Sequence, residues 1–307
     1  MRSLLTSLLS IVLLTVLADA QLNETDRSWN QPVEPFRIAG NVYYVGANEI
    51  TSYLITTPKG HILLDSGFKE TVPQIRVNVA KLGFKLEDIK YLINSQAHYD
   101  HAAGLADLKR LTSARLLASV EDAKLLARGG KDDPNFGDRF LFEPVKADKT
   151  FSDGWVLKLG GTVMTANITA GHTKGCTTWT MTVGDRDKPL NVIFVCSTTA
   201  PGYTLVNNPK YPDIASDFER TFQRLRSLRV DVFLSAHASQ FEMMKKIELR
   251  KKQTDTDPFI DPEGYKRYVE ETEKAFRDRL AEQSKPQTCA TGPHGIDANI
   301  WWGRRSR

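Results

Sequence analysis

Four of the six histidines in this 307-residue chain stand just beyond the carboxyl ends of predicted strands, and that placement limits the possible folds more than any other feature. His98 and His101 follow the apolar run Ile89 to Asn94, His172 follows Thr162 to Ile168, and His237 follows Val230 to Ser235. Folds that alternate strands and helices gather their strand ends along one edge, where loops carry sites on a rigid scaffold. The chain must therefore bring residues from both of its halves to a single edge. One α/β (α+β) domain meets that requirement, because hydrophobic strands alternate with helical segments from Asn41 to about Leu280 without a Ser- or Gly-rich linker.

The run Gln96-Ala97-His98-Tyr99-Asp100-His101 places three strong metal ligands within four residues, on a loop between that first strand and a helix predicted from Ala102 to Leu111. Imidazole nitrogens and a carboxylate form a set that zinc accepts with bonds of about 2.0–2.2 Å. Asp100 and His101 are adjacent and must point away from His98, which suggests two metal positions. A lone histidine is ordinarily a packed or surface group; four at strand ends argue for ligands and for a zinc hydrolase. His61, in the strand after Pro58-Lys59-Gly60, reads as an ordinary strand histidine, and His294 is not placed in the site.

With these residues in place, the chain resembles the metallo-β-lactamase superfamily, and within it the third subclass of class B β-lactamases. The resemblance implies a four-layer αββα sandwich, two sheets face to face with helices outside. The superfamily motif has the form His-x-His-x-Asp-His; here Gln96 stands in the first His position and His98, Asp100 and His101 fill the others. His172, in a Gly-His-Thr context, and His237, in Ala-His-Ala-Ser, match the family's later histidines. The resemblance thus implies one metal position made by Gln96, His98 and His172 and another made by Asp100, His101 and His237. Asp65, in Leu-Leu-Asp-Ser-Gly, matches the early strand-turn aspartate, either as support behind the ligands or as a turn cap.

Subclass is suggested by Val195-Cys196-Ser197-Thr198-Thr199. Relatives that hydrolyse lactones or thioesters place a bridging aspartate there, and other β-lactamase subclasses a cysteine ligand, whereas this chain has Ser197. A hydroxyl is a poor zinc ligand, so Ser197 is expected to hold a water or the substrate carboxylate, and Thr199 to join it in binding that carboxylate. Asp100 is expected to orient the nucleophile, a hydroxide generated on the metal, for attack on the β-lactam carbonyl of penicillins, cephalosporins and carbapenems, which would confer antibiotic resistance. Tyr203 is a candidate lining residue. The Gln96 amide oxygen is a weaker donor than imidazole, so that position should bind zinc less tightly and the Asp100, His101, His237 position should fill first. The alternatives are another hydrolase of the same fold, acting on a lactone, thioester or phosphoester, and a non-catalytic zinc-binding protein with a decayed site.

Composition sets the remaining bounds. Met1-Arg2, the apolar stretch Leu4 to Leu17 and Ala18-Asp19-Ala20 read as a signal peptide over residues 1–20, giving a periplasmic or secreted protein without stable membrane association. Residues 21–284 are expected to form the domain and 285–307 a tail holding Cys289 and Trp301-Trp302. A net charge of +4 gives no reason to expect a nucleic-acid partner; a small-molecule substrate and a monomer are favoured. Cys176 and Cys196 lie symmetrically about Arg186, in a hairpin whose loop is Gly184 to Lys188. That symmetry places them directly opposite each other, and predicts a disulfide in an exported protein.

Overall fold

The computed structural model describes residues 22–185, 188–252 and 256–285. The expected signal peptide, and all but the first residue of the expected tail with Cys289, His294 and Trp301-Trp302, lie outside the described residues. Seven strands follow one another across the first sheet: β1 (Phe36–Ala39), β2 (Val42–Tyr44), β3 (Tyr53–Thr57), β4 (Gly60–Leu64), β5 (Ile89–Ile93), β6 (Arg115–Ser119) and β7 (Lys149–Phe151). Pairing is antiparallel up to β4 and parallel from β4 to β7. The second sheet orders β12 (Val232–Ser235), β11 (Lys188–Val195), β10 (Thr177–Asp185), β9 (Thr162–Ile168) and β8 (Val156–Leu159), antiparallel except for β11 with β12.

Side-chain alternation explains how the layers stack. In the first sheet Ile55, Ile62, Leu64, Ile93 and Leu117 join one apolar cluster with Trp179, Met181 and Phe194 of the second sheet. Their neighbours Leu54, Leu63, Leu92 and Leu116 join a second cluster with Ile75 and Val79 of α2 (Val72–Lys81) and Leu105 and Leu108 of α4 (Leu105–Thr112). Strands covered on both faces read as unbroken apolar runs, as Ile62-Leu63-Leu64 of β4 does. The second sheet is backed by Phe218, Phe222 and Leu225 of α6 (Ile214–Ser227) and by Phe276 of α8 (Pro262–Gln283). The expected αββα sandwich is thus the observed one.

Two local expectations are corrected. Asp100 and His101 sit not in a loop but in a one-turn helix, α3 (Tyr99–Ala102), for which His98 is the N-cap; α4 starts only at Leu105. The break falls at Gly104, whose amide donates to the Gly67 carbonyl at 3.3 Å; a Cβ there would lie 2.6 Å from Val72 and 2.9 Å from the Ser66 carbonyl, so the close approach requires glycine. The hairpin register also differs. Trp179 pairs with Phe194 and Asp185 with Lys188, so the ladder is shifted by one from a centre on Arg186. Cys176 and Cys196 are therefore diagonal rather than directly opposite, yet their Cα atoms are 5.8 Å apart and the disulfide is present.

Candidate metal centre

The first-sheet strands β4 and β5 end side by side and deliver Asp65 and the segment from Gln96 onward. Asp65 has a left-handed backbone, φ 61°, which a non-glycine residue adopts only where its surroundings hold it. Its two carboxylate oxygens accept from the Ser95 amide and hydroxyl, each at 2.6 Å. This ties the start of the histidine segment to the neighbouring strand end. Burial pushes the Asp65 carboxyl up to about 6.

His172 arrives from the second sheet on the turn after β9. Gly171 precedes it with φ 136°, and a Cβ there would lie 2.7 Å from the Phe218 ring; only glycine lets the turn rest on α6. His237 follows β12, with Ile50 bridged to it across the two sheets. Ser197 and Thr199 lie beyond β11. Their hydroxyls are 3.1 Å apart, while the Thr198 hydroxyl donates to Tyr268 of α8 at 2.9 Å. Alternation thus anchors Thr198 behind the loop and sets Ser197 and Thr199 on its other side.

Two groups of donors result. Asp100, His101 and His237 each offer an atom within 4.8 Å of the others. Asp100 Oδ2 is 3.3 Å from His101 Nε2 and 3.6 Å from His237 Nε2. Burial alone would raise the Asp100 carboxyl, but the imidazoles of His101, His237 and His98 outweigh it and hold the group well below the usual carboxylate range. Beside this group, His98 Nδ1 faces His172 Nε2 at 3.1 Å. Burial, with the His98 charge second, pushes the His172 imidazole down to about 3, so it stays neutral at ordinary pH.

Each histidine has its other ring nitrogen near an oxygen. His172 Nδ1 lies 2.7 Å from the Thr199 carbonyl, His98 Nε2 is 3.3 Å from Asp133, His101 Nδ1 is 3.7 Å from Asp65, and His237 Nδ1 is 3.3 Å from Glu49. An acceptor within hydrogen-bond reach of one ring nitrogen, as the Thr199 carbonyl is for His172, fixes which nitrogen carries the proton. Glu49 and Asp133 were not singled out from sequence, because acidic residues in loops are common. The available signal for Asp133 is the stretch from 127 to 148, long for an irregular connection in a compact domain. Tyr203 donates to the His172 carbonyl at 3.1 Å, and His61 is buried away from this edge with its Nδ1 near the Thr57 amide.

The residues fit the zinc that the resemblance implies. Gln96 is fully buried, and neither its amide oxygen nor its nitrogen has a hydrogen-bond partner; the same holds for both ring nitrogens of His101. Buried polar atoms without partners are costly, and a cation relieves the acceptors among them. The donor set, five imidazole or carboxylate groups and one amide, is one zinc accepts.

An αββα sandwich that lays histidines from both halves along one edge defines a class of metal-dependent proteins. Residues 45–237 match the model of the metallo-β-lactamase superfamily. The native FEZ-1 metallo-β-lactamase from Legionella gormanii is 42% identical, with a TM-score of 0.82 over 84% of this chain and 99% of that one. A Cronobacter sakazakii metallo-β-lactamase described by its HARLDQ motif is 42% identical, with a TM-score of 0.81 over 84% of this chain and 98% of that one. BJP-1, a subclass B3 metallo-β-lactamase of Bradyrhizobium japonicum, is 38% identical, with a TM-score of 0.78 over 83% and 96%. The chain belongs to the metallo-β-lactamase superfamily, among relatives of subclass B3.

Proposed function

We propose that this protein hydrolyses the β-lactam amide bond, with zinc held by Asp100, His101 and His237 and a second, weaker zinc position made by Gln96, His98 and His172. The observation that carries the reading is the pair of adjacent donor groups, supported by relatives at about 40% identity that are themselves metallo-β-lactamases. Zinc bound there supplies a water of lowered pKa and an electrophile for a carbonyl.

The chain's own residues do the rest. Asp100, kept ionised by its histidine neighbours, accepts a hydrogen bond from the attacking water and orients it. Water adds across the amide: a C–O bond forms at the carbonyl carbon, the C–N bond breaks, and the ring nitrogen takes the proton. Ser197 and Thr199 hold the carboxylate of bicyclic β-lactams through their hydroxyls. The buried disulfide supports an oxidising compartment, consistent with export to the periplasm. Among the described residues no helix is long and apolar enough to cross a membrane.

The test is hydrolysis of a chromogenic cephalosporin and of a carbapenem by purified protein, with added zinc and with a chelator. Turnover that requires zinc and is abolished by the chelator is the expected result. Protein shown to hold zinc but inactive on both substrates would overturn the substrate assignment.

A further inference from the structure

The 127–148 connection between α5 (Val120–Leu126) and β7 meets the site through several residues, among them Asn135, whose Nδ2 donates to the His172 carbonyl at 3.4 Å, and Asp133. Asp133 is buried, and its two carboxylate oxygens do different things. Oδ1 accepts from the backbone amides of Asn135 and Phe136, at 2.7 and 2.8 Å, and so closes a tight turn. That turn is pinned again by the reciprocal backbone pair of Asp133 and Gly137. Oδ2 is left over and lies 3.3 Å from His98 Nε2, near enough for a charge contact although the ring nitrogen is not aligned for a hydrogen bond. The same turn sets the Phe136 ring against the His98 imidazole, with centroids 5.1 Å apart.

The ring nitrogens of His98 are thus divided. Nδ1 faces His172 Nε2, and His172 is itself oriented by the Thr199 carbonyl on its Nδ1. For Nδ1 of His98 to offer a lone pair, the proton of the neutral ring must sit on Nε2, and a carboxylate beside Nε2 favours that arrangement. The need is greater here than at the other position, because the third donor is the neutral Gln96 amide rather than an imidazole.

We infer that Asp133 is a positioning residue: from the 127–148 loop, it holds His98 in the state that presents Nδ1 to the metal, and thereby sets the zinc affinity of the Gln96, His98, His172 position. The inference rests on the proposal that these three residues bind zinc.

Asp133→Asn separates this role from turn closure. The Asn oxygen still caps the turn, but an NH2 then replaces Oδ2 and, as a donor, favours a bare Nε2 on His98. Nitrogen NMR of 15N-histidine in metal-free protein at about pH 8 is expected to show a proton on His98 Nε2 in the native chain and none there in D133N. Competitive zinc titration is expected to show the weaker position loosened roughly 10- to 100-fold in D133N, with the tighter position unchanged. Asp133→Ser, which keeps a turn-capping oxygen and removes Oδ2, serves if D133N does not fold, and is expected to weaken the same position alone. An unchanged proton position, a weaker-position affinity within about twofold of native, or equal loss at both positions would overturn the inference. If the native chain takes up only one zinc, the proposed second metal position fails instead, and the NMR comparison still decides whether Asp133 controls the His98 proton.

Discussion

Gln96 differs from the superfamily pattern by a single donor atom, and its surroundings make that difference measurable. Its amide is fully buried with both polar atoms unpartnered, so no group among the described residues competes for the oxygen. Replacement by histidine should tighten the weaker zinc position roughly tenfold, about 1.4 kcal/mol, because imidazole is the better donor to a borderline-soft ion. A competitive titration that finds Q96H no tighter than the native chain would show that position 96 does not ligate. A second residue-scale prediction concerns Asp122, buried at the start of α5, where its carboxylate accepts from Asn94 at 3.2 Å. Burial pushes its carboxyl from an ordinary 3.8 up to about 7, against the opposing pull of Thr173, His98 and Asn94. A folded value above the unfolded one contributes stability that is complete below about pH 4 and lost as pH rises through about 7. In metal-free protein, Asp122→Asn should therefore gain thermal stability relative to the native chain between pH 5 and pH 8. A difference in Tm that stays constant across that range would count against a neutral Asp122 in the fold. The histidines and Asp100 were legible in sequence because ligand-forming residues are few and stand at strand ends. Glu49 and Asp133 were not legible, since each meets a histidine far away in the chain, and no local pattern marks such a contact.

At the level of elements, strands were read well and turns less so. Apolar runs located β5, β9 and β12 to within two residues, because the residues that each strand turns to the core must be apolar. The hairpin between β10 and β11 shows the limit. The loop Gly184 to Lys188 marks the reversal without fixing which residues pair across it, and only the paired backbone settles the register. The one-residue shift does not prevent the disulfide, since Cys176 and Cys196 lie past the last ladder pair and tolerate a diagonal approach. The bridge joins the end of β11, which leads to Ser197, to the residue before β10, which follows the His172 turn. Cys176→Ser with Cys196→Ser should cost roughly 3 kcal/mol of stability on the chain-entropy model, with the fold retained. Chemical denaturation of the double variant against the oxidised native protein measures this. A loss below about 1 kcal/mol would mean that the buried hairpin, held by Trp179 and Phe194 in the core, fixes the loop without help.

The whole molecule places its site across the seam between two sheets. Gln96, His98, Asp100 and His101 come from the edge of the first sheet and His172 and His237 from the edge of the second, while Ile50 and the Thr51 hydroxyl reach over to His237 and to the Ser235 and Ala236 carbonyls. A metal held there binds only when both halves are folded and docked, so its binding free energy adds to the stability of the whole sandwich. At free zinc about 100 times the dissociation constant, one filled position contributes roughly 2.7 kcal/mol. For a domain of this size that is a Tm rise of roughly 5–10 °C. Stripping zinc with a chelator should therefore lower Tm by about that much, as one cooperative transition rather than two. Refilling should restore it in two steps of concentration: a larger rise as the Asp100, His101, His237 position fills, then a smaller one at higher zinc for the Gln96 position. In D133N the second step should move to higher zinc while the first stays in place. A chelated protein that melts in two separate transitions would instead show that the sheets are stable independently, and that the metal bridges bodies already folded.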